Sequence, residues 1–345
     1  MKKISPEKIL MGLFMAITLA LFGWYNLTKP SILILHSYDK DYAWVRDINA
    51  GLNRVLNSKY LYQVHWYYMD TKRHPFDDYK KSAGIAARNV IEQTQPDVVI
   101  AIDDDAQKYV TRYFNNHPKI KIVFAGVNNQ AADYGFDQAS NVTGILERMP
   151  LAAVRETLES VGRFKTLGRP IRMAYLGDQS ESVNGDVAQV KNFNWSPVQF
   201  VGLKQVNTFA DWQTAVKELG SSADIILLTN YRRISRSAAD WTLVPPREVV
   251  AWTEANSPVP VMSGNGFYTE EGGMLAVGTS PYEQGEVAAA KALEIILEGK
   301  SVSKIPIVTS NQFIVTMSGS KMKARHIDLP RVYEAAARTG DQYFP

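Results

Sequence analysis

The sequence predicts an α/β protein made of two Rossmann-like lobes, each built on a parallel sheet and joined to the other by short hinges. Three observations predict it. The chain has 345 residues, too many for one ordinary core and suited to two domains of roughly 150 residues each. Short, continuously apolar runs alternate with segments whose apolar residues recur at helical spacing. That alternation then begins again in the second half of the chain.

The first segment stands apart. Lys2, Lys3 and Lys8 precede an apolar stretch from Ile9 to Tyr25, broken by Gly12, Thr18 and Gly23. A basic start before such a run keeps the N-terminus in the cytoplasm. The run is long for a signal-peptide core and shorter than the about 20 residues of a comfortable span. It has no Ala-x-Ala site, and the absence of cysteine removes the lipoprotein route. Residues 1–29 are expected to be an export signal, cleaved or slowly cleaved, with a permanent anchor through residues 9–25 as the alternative. The body from about Pro30 onward is then periplasmic.

In that body, Ser31 to His36 reads as a strand buried on both faces, followed by a helix carrying Val45, Ile48, Leu52, Val55 and Leu56 on one side. A strand from Gln63 to Met69, a helix after Pro75, a strand from Asp97 to Ile102, a polar helix through Tyr109 and a strand from Lys121 to Ala125 complete a βαβαβαβ series. Such a series calls for right-handed crossovers and a parallel sheet. The second series has strands at Ile171–Leu176, Pro197–Val201, Ala223–Leu228 and Pro258–Met262, with helices near Asp211–Leu219 and Pro246–Ala255. The join is expected near Asn141 to Gly144. Beyond it come a strand at Met274–Val277, a helix from Tyr282 to Glu298 and a strand at Gln312–Thr316. These spare elements suggest that the chain crosses back between lobes.

Composition narrows the function. Zero cysteines exclude disulfide scaffolds, cysteine nucleophiles, Fe–S clusters and thiolate zinc sites. A net charge of +3 implies no broad basic face for nucleic acid. There is no Gly-x-Ser-x-Gly elbow, no P-loop and no His-x-x-x-His pair among the five histidines. An enzyme is not expected, and neither a metal nor a cofactor. A sugar-responsive repressor would need a helix-turn-helix in place of the apolar N-terminus.

The layout resembles the periplasmic substrate-binding proteins of ABC transporters, in the type I periplasmic-binding-protein-like, amino-acid-binding branch. The matching stretches are Asn141-Val-Thr-Gly-Ile145, Tyr175-Leu-Gly-Asp-Gln-Ser-Glu-Ser182, Gly272-Gly-Met-Leu-Ala-Val-Gly278, Tyr282-Glu-Gln-Gly285, Gly299 to Pro306 and Lys321 to Pro330. The opening, Leu33 to Trp44, is similar to a sub-branch of extracytoplasmic sensing domains fused to histidine kinases or cyclic-dinucleotide synthases; no such module is expected after Pro330. The resemblance implies two lobes closing over a ligand with three crossovers. Residues 30–142 plus 280–308 would form the first lobe and residues 143–279 plus 309–345 the second.

In open parallel sheets ligands bind beyond the carboxyl ends of the strands. The residues just past each strand are therefore the candidates: Ser37, Tyr38 and Trp44; Asp103, Asp104 and Asp105, one of which is expected to cap a helix while another meets a ligand ammonium; and Asn128 with Asn129. The second lobe offers Asp178, Ser180 and Ser182, suited to a ligand carboxylate, then Asn230 with Tyr231, and Asn265. Tyr282 either faces the cleft or plugs the hinge. His36 reads as a polar strand-end residue. The expected function is capture of a small polar, possibly amino-acid-like solute for delivery to a membrane permease. The alternative is a stand-alone sensor whose closed form docks on a membrane signalling protein.

Overall fold

The computed structural model describes residues 5–58 and 60–345; Lys2 and Lys3 lie outside the described residues. The strands form two sheets. The first contains β1 (Ser31–His36), β2 (Gln63–Tyr68), β3 (Val98–Ile102), β4 (Lys121–Val127) and β5 (Val142–Leu146). The second contains β6 (Arg172–Asp178), β7 (Gln199–Val206), β8 (Ile225–Leu228), β9 (Val261–Ser263) and β10 (Leu275–Thr279). β11 (Val308–Thr309) returns to the first sheet, and β12 (Phe313–Ser318) and β13 (Tyr343–Phe344) to the second. The orders are β11-β5-β4-β3-β1-β2 and β13-β12-β10-β9-β8-β6-β7. Pairing is parallel throughout except between β10 and β12.

Side-chain alternation explains why the strands are apolar on both faces. Ile32 and Ile34 of β1 join the core beneath the Ala43–Val55 helix, whereas Leu33 and Leu35 join the core beneath the Asp77–Thr94 helix. Residues i and i+1 point to opposite sides of a strand, so a sheet covered by helices on both faces needs no polar position.

Two features depart from the sequence reading. Val142–Leu146, taken as the join, is a strand of the first sheet, so the chain first leaves that sheet beyond the expected boundary at 142. Its apolar run is masked by Thr143, whose hydroxyl donates to Ile305 O at 2.8 Å, and by Gly144, which leaves room for the backbone of Phe124. The chain also ends in a helix, Arg331–Thr339, and a short strand that periodicity did not reveal.

The return passes are locked by close helix packing. The Pro281–Ile296 helix lies against the Ala43–Val55 helix, where Gly51 and Gly285 face the partner backbone. A Cβ at either position would collide with a main-chain carbonyl. Between β10, that helix, β11 and β12 the chain passes from the second lobe to the first and back, which with the passage after β5 makes three crossings.

Candidate functional site

The carboxyl ends of both sheets meet at a small pocket lined by Tyr38, Tyr42, Trp44, Lys72, Asp103, Asn128, Glu147, Ser182, Asp186, Asn230 and Asn265. Its volume is about 20 Å³, on a scale where one water needs about 10–15 Å³. The lobes are therefore closed upon it.

Asp103 is the pivot of the first-lobe wall. It follows β3 directly with φ 68° and ψ 164°, a conformation that costs a non-glycine residue about 1–3 kcal/mol. The kink turns its carboxylate into the pocket. Oδ1 accepts from Trp44 Nε1 at 3.0 Å, while Oδ2 is buried without a partner among the described residues. Gly126 presses close behind, since a Cβ there would lie 3.1 Å from Asp103 Oδ1, and Gln284 holds the Gly126 N–H at 2.8 Å. Burial raises the Asp103 carboxyl well above the ordinary range, against the pull of Lys72.

The two neighbouring aspartates do other work. Asp104 accepts from the N–H groups of Asn128 and Asn129 at 3.1 and 3.2 Å and from Tyr134 Oη at 2.7 Å, fixing the loop after β4. Burial pushes it up to about 6. Asp105 accepts from Thr71 Oγ1 and pairs with Lys80 Nζ, both at 2.7 Å. None of the three makes a side-chain cap to the Asp104–Tyr109 helix. Instead Ser37 Oγ accepts from Ala106 N at 2.7 Å and donates to Ile102 O at 2.7 Å, so the expected cap is replaced by a hydroxyl from just past β1, and Ser37 turns to that bracing.

Lys72, just past β2, enters from the first lobe. Its ammonium lies 4.7 Å from the Tyr38 ring centre and 3.4 Å from Ser182 Oγ of the second lobe. It makes no ion pair among the described residues, although Asp178, Asp103 and Asp105 act on it at longer range. Burial lowers its pKa. Glu147 follows β5 and is held protonated to higher pH by burial, then by Asp186, Asp103 and Asp104. Asp186, on the Glu181–Asn192 helix, accepts from Asn128 Nδ2 at 3.3 Å, and burial pushes it up to about 7.

The second lobe otherwise supplies neutral groups. Ser182 and Ser180 share a hydroxyl contact at 3.2 Å. Asn230 approaches Tyr42 Oη at 3.5 Å, and Asn265 Nδ2 donates to Thr229 O at 3.1 Å. Arg232, paired with Glu271, lies 4.5 Å over Tyr42 and holds that ring in place.

Of the sequence candidates, Tyr38, Trp44, Asp103, Asn128, Ser182, Asn230 and Asn265 are brought together. Asp178 instead braces its loop by accepting from Ser180 N and Arg233 N at 2.9 and 3.0 Å. Asn129 turns to Tyr134. Tyr231 is fully buried, bonded to Glu271 and packed on Trp212, Phe267 and Tyr268. Tyr282 sits at the helix crossing under Arg54, away from the pocket. His36 is buried, bonded to Asn49 at 2.8 Å and stacked on Tyr68, with burial lowering its pKa to about 3.

Lys72, Glu147 and Asp186 were not foreseen. The strand-end rule covers the first two, at the ends of β2 and β5, and Asp186 lies one helical turn (i+4) from Ser182 on the same face.

Comparison with known structures gives the same architecture. A domain in complex with L-Trp from Streptococcus pneumoniae matches with TM-score 0.66 at 14% identity, covering 90% of this chain and 98% of that one. A conserved domain protein from Vibrio cholerae matches with TM-score 0.64 at 15% identity, over 90% and 98%. The ligand-free, open structure of a substrate binding protein with adhesive properties from Clostridium difficile matches with TM-score 0.59 at 15% identity, over 87% and 96%. Among curated proteins no match is found. At these identities the likeness is one of fold. The family model described as ABC transporter substrate binding protein matches residues 67–338, nearly four-fifths of the sequence, and the chain belongs to that family.

Proposed function

We propose that the protein captures a small zwitterionic, amino-acid-like solute in the interlobe pocket and hands it to a membrane permease. Family members are extracytoplasmic binding proteins and not enzymes. The observation that carries the ligand reading is a buried amine and a buried carboxyl in one pocket, each short of partners and each pushed toward its neutral form by burial. Among the described residues, Lys72 Nζ has a ring face and a hydroxyl 3.4 Å away but no ion pair, and Asp103 Oδ2 is buried with no partner. Each is costly alone. A ligand carboxylate at Lys72 and Ser182, with its ammonium at Asp103, Glu147 and Asp186, satisfies both at once. Tyr38, Tyr42 and Trp44 offer apolar faces to the remaining part. The L-Trp held by the Streptococcus pneumoniae relative of the same fold supports this reading.

Because the closed pocket is far smaller than an amino acid, the lobes part to admit it and close again about the hinge strands. The test is calorimetric titration with amino acids, their decarboxylated amines, their deaminated acids, and sugars. Zwitterions are expected to bind at least tenfold more tightly than either half-molecule. Equal binding of a neutral sugar refutes the charge-pair reading.

A second reading, a stand-alone sensor docking on a membrane kinase or cyclic-dinucleotide enzyme, is favoured by the long apolar N-terminal helix, none of whose residues is buried. Genes beside this one discriminate: permease and ATPase genes support transport, a kinase or cyclase gene supports sensing.

A further inference from the structure

The Pro6–Thr28 helix has 23 residues and buries none of them. At 1.5 Å per residue it is about 35 Å long, enough to cross a hydrocarbon core of about 30 Å. Its large apolar side chains, among them Leu10, Phe14, Leu19 and Phe22, are exposed to half or more around the helix, which water does not tolerate and lipid does.

The far end of this helix is joined to the folded body without a linker. Lys29 caps it, and Pro30 O already accepts from Gln63 N in the first sheet at 2.8 Å. Tyr25 Oη donates to Tyr60 O at 3.1 Å, and Gln63 Nε2 donates to Asn26 O at 2.8 Å. A cleavage site after an export signal is a small-residue segment; here the stretch before the body, Asn26-Leu27-Thr28, is helix, and its Asn26 carbonyl is bonded to the first lobe. The same end carries Trp24 and Tyr25, exposed at 68% and 50%, and beside them Tyr60 and Leu61 at 83% and 45%. Amphipathic rings at one level along an apolar helix mark a membrane–water interface.

We infer that the helix is retained as a membrane anchor and that the first lobe is seated on the outer leaflet through Trp24, Tyr25, Tyr60 and Leu61. The partner is the lipid bilayer. The seating has a direction. The helix enters at the amino end of β1, whereas the pocket lies at the carboxyl ends of the strands, a strand length of about 20 Å away. The first lobe stays fixed to the membrane, and closure swings the second lobe.

The test uses the full chain expressed with export machinery. The wild-type protein is expected to stay with membranes through an alkaline wash and to show a mass that includes residues 1–29. Asn26→Ala with Thr28→Ala writes Ala-x-Ala at the lobe end of the helix and is expected to release a soluble form shortened by that segment. Wild-type protein recovered soluble, with its N-terminus between residues 20 and 31, overturns the anchor. The chain has no cysteine, so single labels are clean. In vesicles, a fluorophore on Tyr60→Cys is expected to be quenched several-fold more by headgroup-level spin-labelled lipid than one on Val332→Cys, which is 68% exposed in the second lobe. Equal quenching overturns the seating. Solute titration of the released form reads the ligand proposal separately, so either idea can fail alone.

Discussion

The two walls of the pocket differ in kind. The first lobe supplies its aromatic rings, its one cation and two of its three carboxylates: Tyr38, Tyr42, Trp44, Lys72, Asp103 and Glu147. The second supplies a hydroxyl and two amides, Ser182, Asn230 and Asn265, with Asp186 as its single charge. The first wall is also the more rigidly built. Asp103 is held by Trp44 and backed by Gly126, and Asp104 and Asp105 are spent on bracing the loops around it. A charged, preorganised wall draws and orients a solute, and a neutral wall completes hydrogen bonds after closure. On the proposed function, the first lobe is the recognition platform and the second the lid.

The sharpest way to break this division is Asp103→Asn. A charge-assisted hydrogen bond contributes about 1.5–3 kcal/mol, so affinity for a zwitterion is expected to fall roughly 10–100-fold. The melting temperature should hold or rise, because the substitution keeps the backbone as it is and removes a carboxyl whose ionised form burial penalises. A variant that binds normally but melts earlier would make Asp103 a structural residue. Lys72→Met is expected to weaken amino acids about tenfold while leaving their decarboxylated amines unchanged. A uniform loss across both ligand classes would show that Lys72 supports the wall and does not meet the carboxylate.

Acidity sharpens the comparison further. Asp186 is pushed up to about 7 by burial, so between about pH 4 and pH 7 the folded ligand-free chain holds a proton that the unfolded chain has lost. Stability should therefore fall as pH rises through that window. Ligand affinity should move oppositely, since an ammonium needs the ionised carboxylates of Asp186, Glu147 and Asp103. Titrations at pH 5.5 and 8.0 are expected to show several-fold tighter binding at the higher pH with proton release, and Asp186→Asn should reduce both trends without abolishing them, because Asp103, Glu147 and Asp104 are raised as well. Binding that is independent of pH would remove the carboxylates from ligand contact.

Much of the scaffold was legible because buried parallel strands are apolar at every position, which makes β1, β3 and β4 plain in sequence. β5 was not, because Thr143 and Gly144 serve contacts to Ile305 and Phe124 that no local pattern announces. Overlooking β5 also hid Glu147 at its end. At the site, reading past strand ends found Tyr38, Asp103, Asn128 and Asn230. It could not tell which of three consecutive aspartates faces the pocket, since that depends on the kink at Asp103 and on Tyr134, Thr71 and Lys80, all distant in sequence. Tyr231 was misplaced for the same reason: Glu271, which draws its hydroxyl inward, is forty residues away.

The smallest expected effect tests the lid. Ser182 contributes a hydroxyl 3.4 Å from Lys72 and Asn230 an amide 3.5 Å from Tyr42 Oη, distances at the long end for hydrogen bonds. At such lengths each bond is worth about 0.5–1.5 kcal/mol, even where Ser182 meets a ligand carboxylate. Ser182→Ala and Asn230→Ala should therefore weaken binding only about two- to tenfold, and the loss should appear as faster dissociation with the association rate unchanged, because a lid acts after docking. Stopped-flow measurements separate the two rates. If either substitution slows association as much as Asp103→Asn does, the second lobe takes part in first contact and the platform-and-lid division fails.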